Sequence, residues 1–160
     1  EDESQARMQT GAVVALRLDN AKAMALVRAP LTFEEHGAGP EGERGTIPAH
    51  PDLLGDIVLA RGGNNGLAGC SYHLAVVIDD AAQEISCVTR GGDLFFAAHI
   101  QRLLQAVLEL PVPEYLHHAL AVDAMGRRLA KRHDALSLRH FREQGMTPVA
   151  VRAMAGAVTG

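Results

Sequence analysis

The chain has 160 residues, 48% hydrophobic and 21% charged, with a formal net charge of −4 and no Trp. This length fits one ordinary domain or a piece of a larger protein, and the composition argues for a packed core of Ala, Leu and Val over a disordered chain. No stretch approaches 18 uninterrupted apolar residues, which excludes a membrane-spanning helix.

The polar start, Glu1–Gln9, reads as a frayed end without a basic-then-apolar leader, and the absence of an initial Met points to a chain cut from a longer protein. Val13–Leu18 is a strand-like run. The Ala-rich Asn20–Arg28 predicts a short helix that must stop before Pro30. From Pro30 to Pro51 the Pro and Gly content predicts turns and hairpin pieces, with Gly37-Ala38-Gly39-Pro40 at a loop tip. Gly55–Arg61 is a turn leading into an extended run.

Gly62–Gly69, with four glycines and two asparagines, predicts a flexible loop. Leu74–Ile78 is continuously apolar and rich in β-branched residues, the pattern of a strand covered on both faces, and Asp79-Asp80 breaks it. Ile85–Thr89 predicts a second strand ending at Arg90-Gly91-Gly92. Asp93 then caps a helix whose Ile100, Leu103, Leu104, Val107 and Leu108 form one apolar stripe, ended by Pro111 and Pro113.

His118–Val122 predicts a third strand. Ala135–Gln144 predicts a helix stopped by Gly145 in a left-handed cap, and Thr147-Pro148 supplies the N-cap and first-turn proline of a last helix. This order fits an α/β sheet with its site at the carboxyl ends of the strands. It fits half of such a sheet, because no glycine-rich strand-to-helix phosphate loop precedes residue 70.

The charge is unevenly spread. Residues 126–152 carry seven basic side chains (Arg127, Arg128, Lys131, Arg132, Arg139, Arg142, Arg152) and two acidic ones. A polyphosphate or an RNA backbone would meet a local positive field there; solvated helix ends would explain Arg139, Arg142 and Arg152 equally well. Cys70 and Cys87 have no metal or redox spacing and read as reduced thiols, buried or incidental, of a cytoplasmic protein. None of the eight His shows an i, i+4 zinc pattern with an acid partner, so no residue here is read as a metal ligand.

Arg128-Leu129-Ala130-Lys131-Arg132 lies behind Asp123-Ala124-Met125-Gly126-Arg127. Upstream, and in fixed order, come Ser71-Tyr72-His73-Leu74-Ala75-Val76-Val77-Ile78-Asp79-Asp80, Val88-Thr89-Arg90-Gly91-Gly92-Asp93-Leu94, and Pro113-Glu114-Tyr115-Leu116-His117-His118. Together these resemble the second half of the catalytic domain of the glutamyl-tRNA synthetase family, and most of all its short glutamyl-queuosine tRNA(Asp) branch. The resemblance runs from about Leu16 to the end and is dense from Gly55 to Ala135.

The resemblance implies an α/β fold, the second half of a class I synthetase Rossmann-type domain, with a Pro/Gly-rich inserted segment. Residues 1–54 would be connective subdomain, 55–125 the second half of the nucleotide-binding domain, and 126–160 the signature loop and terminal helices. It implies ATP with Mg2+, glutamate and tRNA(Asp) as ligands, and ATP-dependent attachment of glutamate to queuosine. A zinc site, where the family has one, would lie in an upstream segment outside these residues. The HIGH-type half is absent from the 160 residues, so the chain alone is expected not to form glutamyl-adenylate.

Residue by residue, Tyr72 and Arg90 match the glutamate-binding Tyr and Arg of the family. A guanidinium pairs with a carboxylate in bidentate fashion and a phenol adds a directed hydrogen bond. Two neighbouring strands joined by the Asp79–Gln83 turn would bring them together. Read alone, Tyr72 fits better as a strand aromatic filling a core and Arg90 as a surface charge. The loop Arg128–Arg132 matches the KMSKS signature, with Lys131 as its second lysine facing the ATP phosphates. Arg128 keeps the charge of the first lysine but not its geometry, and Ala130 loses a serine hydroxyl. Asp93 is read first as a helix cap, with a place at the border of the substrate pocket as the alternative. Two other readings stand beside this one: a piece of a glutamyl-tRNA synthetase, and a catalytically silent domain that binds tRNA or a partner through its basic tail.

Overall fold

The apolar stripe predicted behind Asp93 becomes the central helix of the first part of the molecule. The computed structural model describes residues 14–63, 66–120, 122 and 137–156, and the chain divides into two units, Glu1–His118 and Ala119–Gly160. In the first, the elements run β1 (Ala15–Arg17), α1 (Asn20–Leu26), β2 (Thr32–Glu35), β3 (Gly45–Pro48), a 3-10 turn (Pro51–Leu54), β4 (Val58–Gly63), β5 (Gly66–Cys70), α2 (Tyr72–Ala82), β6 (Cys87–Gly91), a 3-10 turn (Gly92–Leu94), α3 (Phe95–Val107) and β7 (Glu114–His118).

Two sheets form. The first has the antiparallel order β1-β4-β5. The second has the order β3-β2-β7-β6: β2 and β3 make an antiparallel hairpin, while β2–β7 and β6–β7 pair in parallel. Among the described residues β6 has one strand neighbour, so its other side is a sheet edge. The β6–α3–β7 passage is the βα-β unit that the sequence order predicts.

Helix α3 carries the core because its stripe is buried on several faces. Ile100, Leu103 and Leu104 pack with Ala23, Leu31, Ile57 and Val77, while Phe95 and Ala98 pack with Phe33 and Tyr115. Burying a Leu or Phe of this kind contributes about 1.5–3 kcal/mol each. His50 N donates to His99 Nδ1 at 3.0 Å, tying the 3-10 turn to the helix. Asn20 adds a second tie, donating through Nδ2 to Pro51 O and through its backbone N to Asp56 Oδ1.

The short helix α1, the 30–51 hairpin and the extended run after Gly55 follow the sequence-based expectation. Four expectations need correction. Leu74–Ile78 is not a strand but the middle of α2, where Ser71 Oγ caps the first turn by accepting from Leu74 N at 3.4 Å. Asp79 and Asp80 lie inside that helix; it ends at Gln83, with Glu84 at φ 55 and Ile85 N closing back on Asp80 O. Eleven residues with a Ser cap outweigh the β-branched preference of Val76, Val77 and Ile78, which is a weak prior against tertiary packing.

Gly62–Gly69 is not wholly a loop: β4 runs through Gly63 and β5 starts at Gly66, paired Gly63 to Gly66. The third strand lies earlier than His118–Val122, at Glu114–His118, where Pro111 and Pro113 precede it and His117 and Tyr115 point inward. Asp93 does not cap α3; it sits in the 3-10 turn, and Leu94 occupies the N-cap without a side-chain bond. Cys70 and Cys87 are free and exposed, so neither is a core residue.

In the second unit, α4 (Leu138–Glu143) starts at Ser137, whose Oγ accepts from His140 N at 3.1 Å, and Gly145 follows it at φ 74, the left-handed cap expected there. Thr147 Oγ1 accepts from Ala150 N and Pro148 opens α5 (Pro148–Gly156), also as expected. Leu138, Arg139, Arg142, Met146, Pro148, Val151 and Arg152 line one cavity of about 670 Å³.

Candidate functional site

Arg90 is the penultimate residue of β6 and is 8% exposed. Burying a guanidinium is costly unless hydrogen bonds or a counter-charge replace water. Arg90 Nε donates to His117 Nε2 at 3.0 Å, Nη1 donates to Gln101 Oε1 at 2.9 Å and to the Tyr72 phenol at 3.3 Å, and the guanidinium carbon lies 5.1 Å from the centre of the Tyr115 ring. Every one of these hydrogen-bond partners is neutral or held neutral. Arg90 Nη2 is buried with no partner.

Each partner is delivered by a different element. Tyr72 opens α2, directly after the Ser71 cap, and is 48% exposed. Gln101 comes from the middle of α3. Tyr115 and His117 alternate along β7, so both face the same side, and the register places Arg90 opposite His117 across the parallel pair. Gln105, one turn after Gln101, donates to the Tyr115 hydroxyl at 3.1 Å.

Behind His117 lies Glu35, at the end of β2. Glu35 Oε2 and His117 Nδ1 are 2.6 Å apart and both side chains are fully buried. Because Arg90 Nε can only donate, His117 Nε2 accepts and its proton sits on Nδ1, facing the carboxylate. Burial holds His117 below the ordinary imidazole range, outweighing the opposing pull of Glu35, and the Arg90 cation acts in the same direction as burial. His73, beside Tyr72, is lowered by burial and then by Arg90. Asp80 is raised by burial, with Arg90 opposing and Asp79 reinforcing.

Of the residues predicted from the sequence, Tyr72 and Arg90 come together, but from a helix start and a strand end instead of two strands. Arg128, Leu129, Ala130, Lys131 and Arg132 lie outside the described residues. Among the described residues no group of three His, Cys, Asp or Glu side chains is arranged for a metal ion. Sequence reading passed over Glu35, Gln101, Tyr115 and His117. Two polar residues one turn apart inside an apolar stripe, Gln101 and Gln105, were the available signal. Alternation of Tyr115 and His117 with polar neighbours was another.

Next to the pair, a cavity of about 420 Å³ is lined by Val58, Arg61, Gly69, Cys70, Ser71 and Tyr72. A small amino acid fits that volume, and Arg61 and the α2 amino end give its wall positive character. Tyr72 stands at the rim of this cavity, and behind it lies the buried Arg90 guanidinium with one corner, Nη2, that has no hydrogen-bond partner among the described residues.

Comparison with known proteins shows the family of the chain. The model of the tRNA synthetases class I (E and Q) catalytic domain matches residues 19–157. The glutamyl-Q tRNA(Asp) synthetase of Rhodobacter capsulatus is 46% identical over 128 residues, covering 78% of this chain and 44% of that protein. Glutamate–tRNA ligase 2 of Syntrophus aciditrophicus is 40% identical over 108 residues, covering 68% and 21%. Among solved structures, the glutamate-tRNA synthetase of Elizabethkingia anophelis superposes with a TM-score of 0.58 at 23% identity, over 82% of this chain and 24% of that one, a likeness of fold. The chain spans less than half the length of these curated relatives.

Proposed function

This chain belongs to the catalytic-domain family of the class I tRNA synthetases for glutamate and glutamine, and from that premise we propose that the complete protein activates glutamate with ATP and transfers it to the queuosine base of tRNA(Asp). The observation that carries glutamate binding is Arg90: a buried guanidinium with neutral partners, Nη2 unpaired, and the Tyr72 phenol on Nη1. A substrate carboxylate supplies both the missing acceptor and the missing negative charge.

In the activation step a carboxylate oxygen of glutamate attacks the α-phosphorus of ATP, and the bond to pyrophosphate breaks. Tyr72 and Arg90 bind and orient the amino acid. Lys131, with Arg128, Leu129, Ala130 and Arg132 around it, meets the charge that builds on the phosphates. Mg2+ enters as the counter-ion of the triphosphate, and a zinc site, where the complete protein has one, lies in a segment outside this sequence. Residues 1–54 serve as connective subdomain, 55–125 as the second half of the nucleotide-binding domain, and 126–160 as signature loop and terminal helices. A cytoplasmic location is part of the same reading, in keeping with two free cysteines.

The tRNA(Asp) acceptor is supported by the higher identity to the Rhodobacter relative than to the Syntrophus one. Charging of tRNA(Glu) is the second reading, supported by the glutamate–tRNA ligases among the relatives. Two assays on the complete protein decide. Glutamate-dependent exchange of pyrophosphate into ATP is the expected result, and its absence overturns the activation reading. Charging of tRNA(Asp) that carries queuosine, but not of tRNA(Asp) that lacks it, is expected next; charging of tRNA(Glu) instead moves the assignment to the second reading.

A further inference from the structure

We infer that Glu35 and His117 are positioning residues, which hold the Arg90 guanidinium by its Nε edge so that Nη2 is kept for the substrate carboxylate. The inference rests on the reading of Arg90 as the glutamate-binding cation. It assigns a task to a buried pair that touches no substrate.

Glu35 is immobilised first. Its Oε1 accepts from Gly37 N at 2.8 Å and His117 N at 2.9 Å, and its Oε2 accepts from His117 Nδ1 at 2.6 Å. The His117 ring is then fixed in its plane, stacked at 7° on Tyr115 and edged by Phe95 at 5.3 Å. It presents Nε2 as an acceptor to Arg90 Nε. With Nη1 taken by Gln101 and Tyr72 and one face on Tyr115, Nη2 is the corner left without a protein partner.

The chemistry of the spacer is the argument for function over packing. A Glu and an Arg in one buried cluster would ordinarily pair directly in a two-bond fork. Here a neutral imidazole stands between them, so the carboxylate orients the cation without neutralising it. A direct pair would stabilise the fold and consume the charge the ligand needs. Orientation matters because a misplacement of about 1 Å can cost about a hundredfold in such sites.

The test uses glutamate-dependent pyrophosphate exchange by the complete protein. His117→Leu, of similar bulk, removes the acceptor: the glutamate KM should rise about tenfold or more, with the ATP KM and kcat changed less than threefold. His117→Gln restores a side-chain carbonyl and should recover most of the loss. If folded His117→Leu leaves the glutamate KM within twofold, or if glutamate and ATP KM rise together in both His117 variants, the positioning role is overturned. Should His117→Leu fail to fold, the near-isosteric Glu35→Gln decides: a severalfold rise confined to the glutamate KM supports the role, and no change refutes it. A wild-type protein with no glutamate-dependent exchange would remove the activation reading itself, and the positioning role with it.

Discussion

The Tyr72 phenol accepts from Arg90 Nη1 at 3.3 Å, bridging 18 residues of sequence and joining the first turn of a helix to the last residues of a strand. The contact is long for a hydrogen bond to a charged donor. It leaves the half-exposed phenol able to turn toward a third partner while His117 and Gln101 hold the guanidinium.

Arg90→Ala removes the buried cation. Losing one partner of a buried charged pair costs about 2–5 kcal/mol, so the glutamate KM in pyrophosphate exchange should rise about 30-fold or more while the ATP KM changes little. Tyr72→Phe removes one hydrogen bond to a charged group, worth about 1.5–3 kcal/mol when well formed and less at 3.3 Å, and should raise the glutamate KM less than Arg90→Ala does. Equal effects of the two substitutions would contradict the division of labour proposed for them.

Lys131→Ala tests the loop. A cation that meets charge in the transition state should lower kcat by about a hundredfold with a much smaller change in ATP affinity. Steady-state exchange and equilibrium ATP binding measured on the same variant separate the two. A matched loss in both would place Lys131 in ground-state binding.

Gly37→Ala probes how the β2–β3 loop rests on β7. A Cβ at Gly37 would collide with the backbone carbonyl of His117, and Ala38 N donates to that same carbonyl at 3.1 Å. Overpacking against backbone costs about 1–3 kcal/mol. Urea unfolding should show that loss through an earlier midpoint at unchanged slope.

Acid should weaken the fold through its buried imidazoles. His73, His99 and His117 are all held below 6.5, each chiefly by burial. In the unfolded chain these imidazoles take up protons at higher pH than in the folded one. Their contribution is therefore whole above about pH 6.5 and is lost as pH falls toward the lowered folded values. Urea midpoints at pH 7.5 and 5.5 should differ, the lower pH being less stable, and His117→Gln should narrow the gap.

Much of the fold was legible in the residues themselves. The stripe Ile100–Val107, the Gly145 cap and the Thr147-Pro148 start each carry their own local signal and appear where expected, whereas α3 stops at Val107, with Glu109 at φ 55, before it reaches Pro111. Leu74–Ile78 misled because three β-branched residues favour a strand locally, while Ser71, Ala75, Ala81 and Ala82 favour a helix over a longer window. The Tyr72–Arg90 pair was legible as a resemblance of motifs, not as geometry. The cluster behind it was not, because Glu35 and His117 lie 82 residues apart and only the parallel β2–β7 pairing brings them together.

The outer rim of β6 has its own consequence. Backbone N–H and C=O groups along Cys87–Gly91 that face away from β7 find no ladder among the described residues, and a rim of that kind recruits any extended peptide within reach. When residues 1–160 are produced alone, self-association should grow with protein concentration. Cys87, exposed on that same strand, offers a thiol at which crosslinking would report the contact.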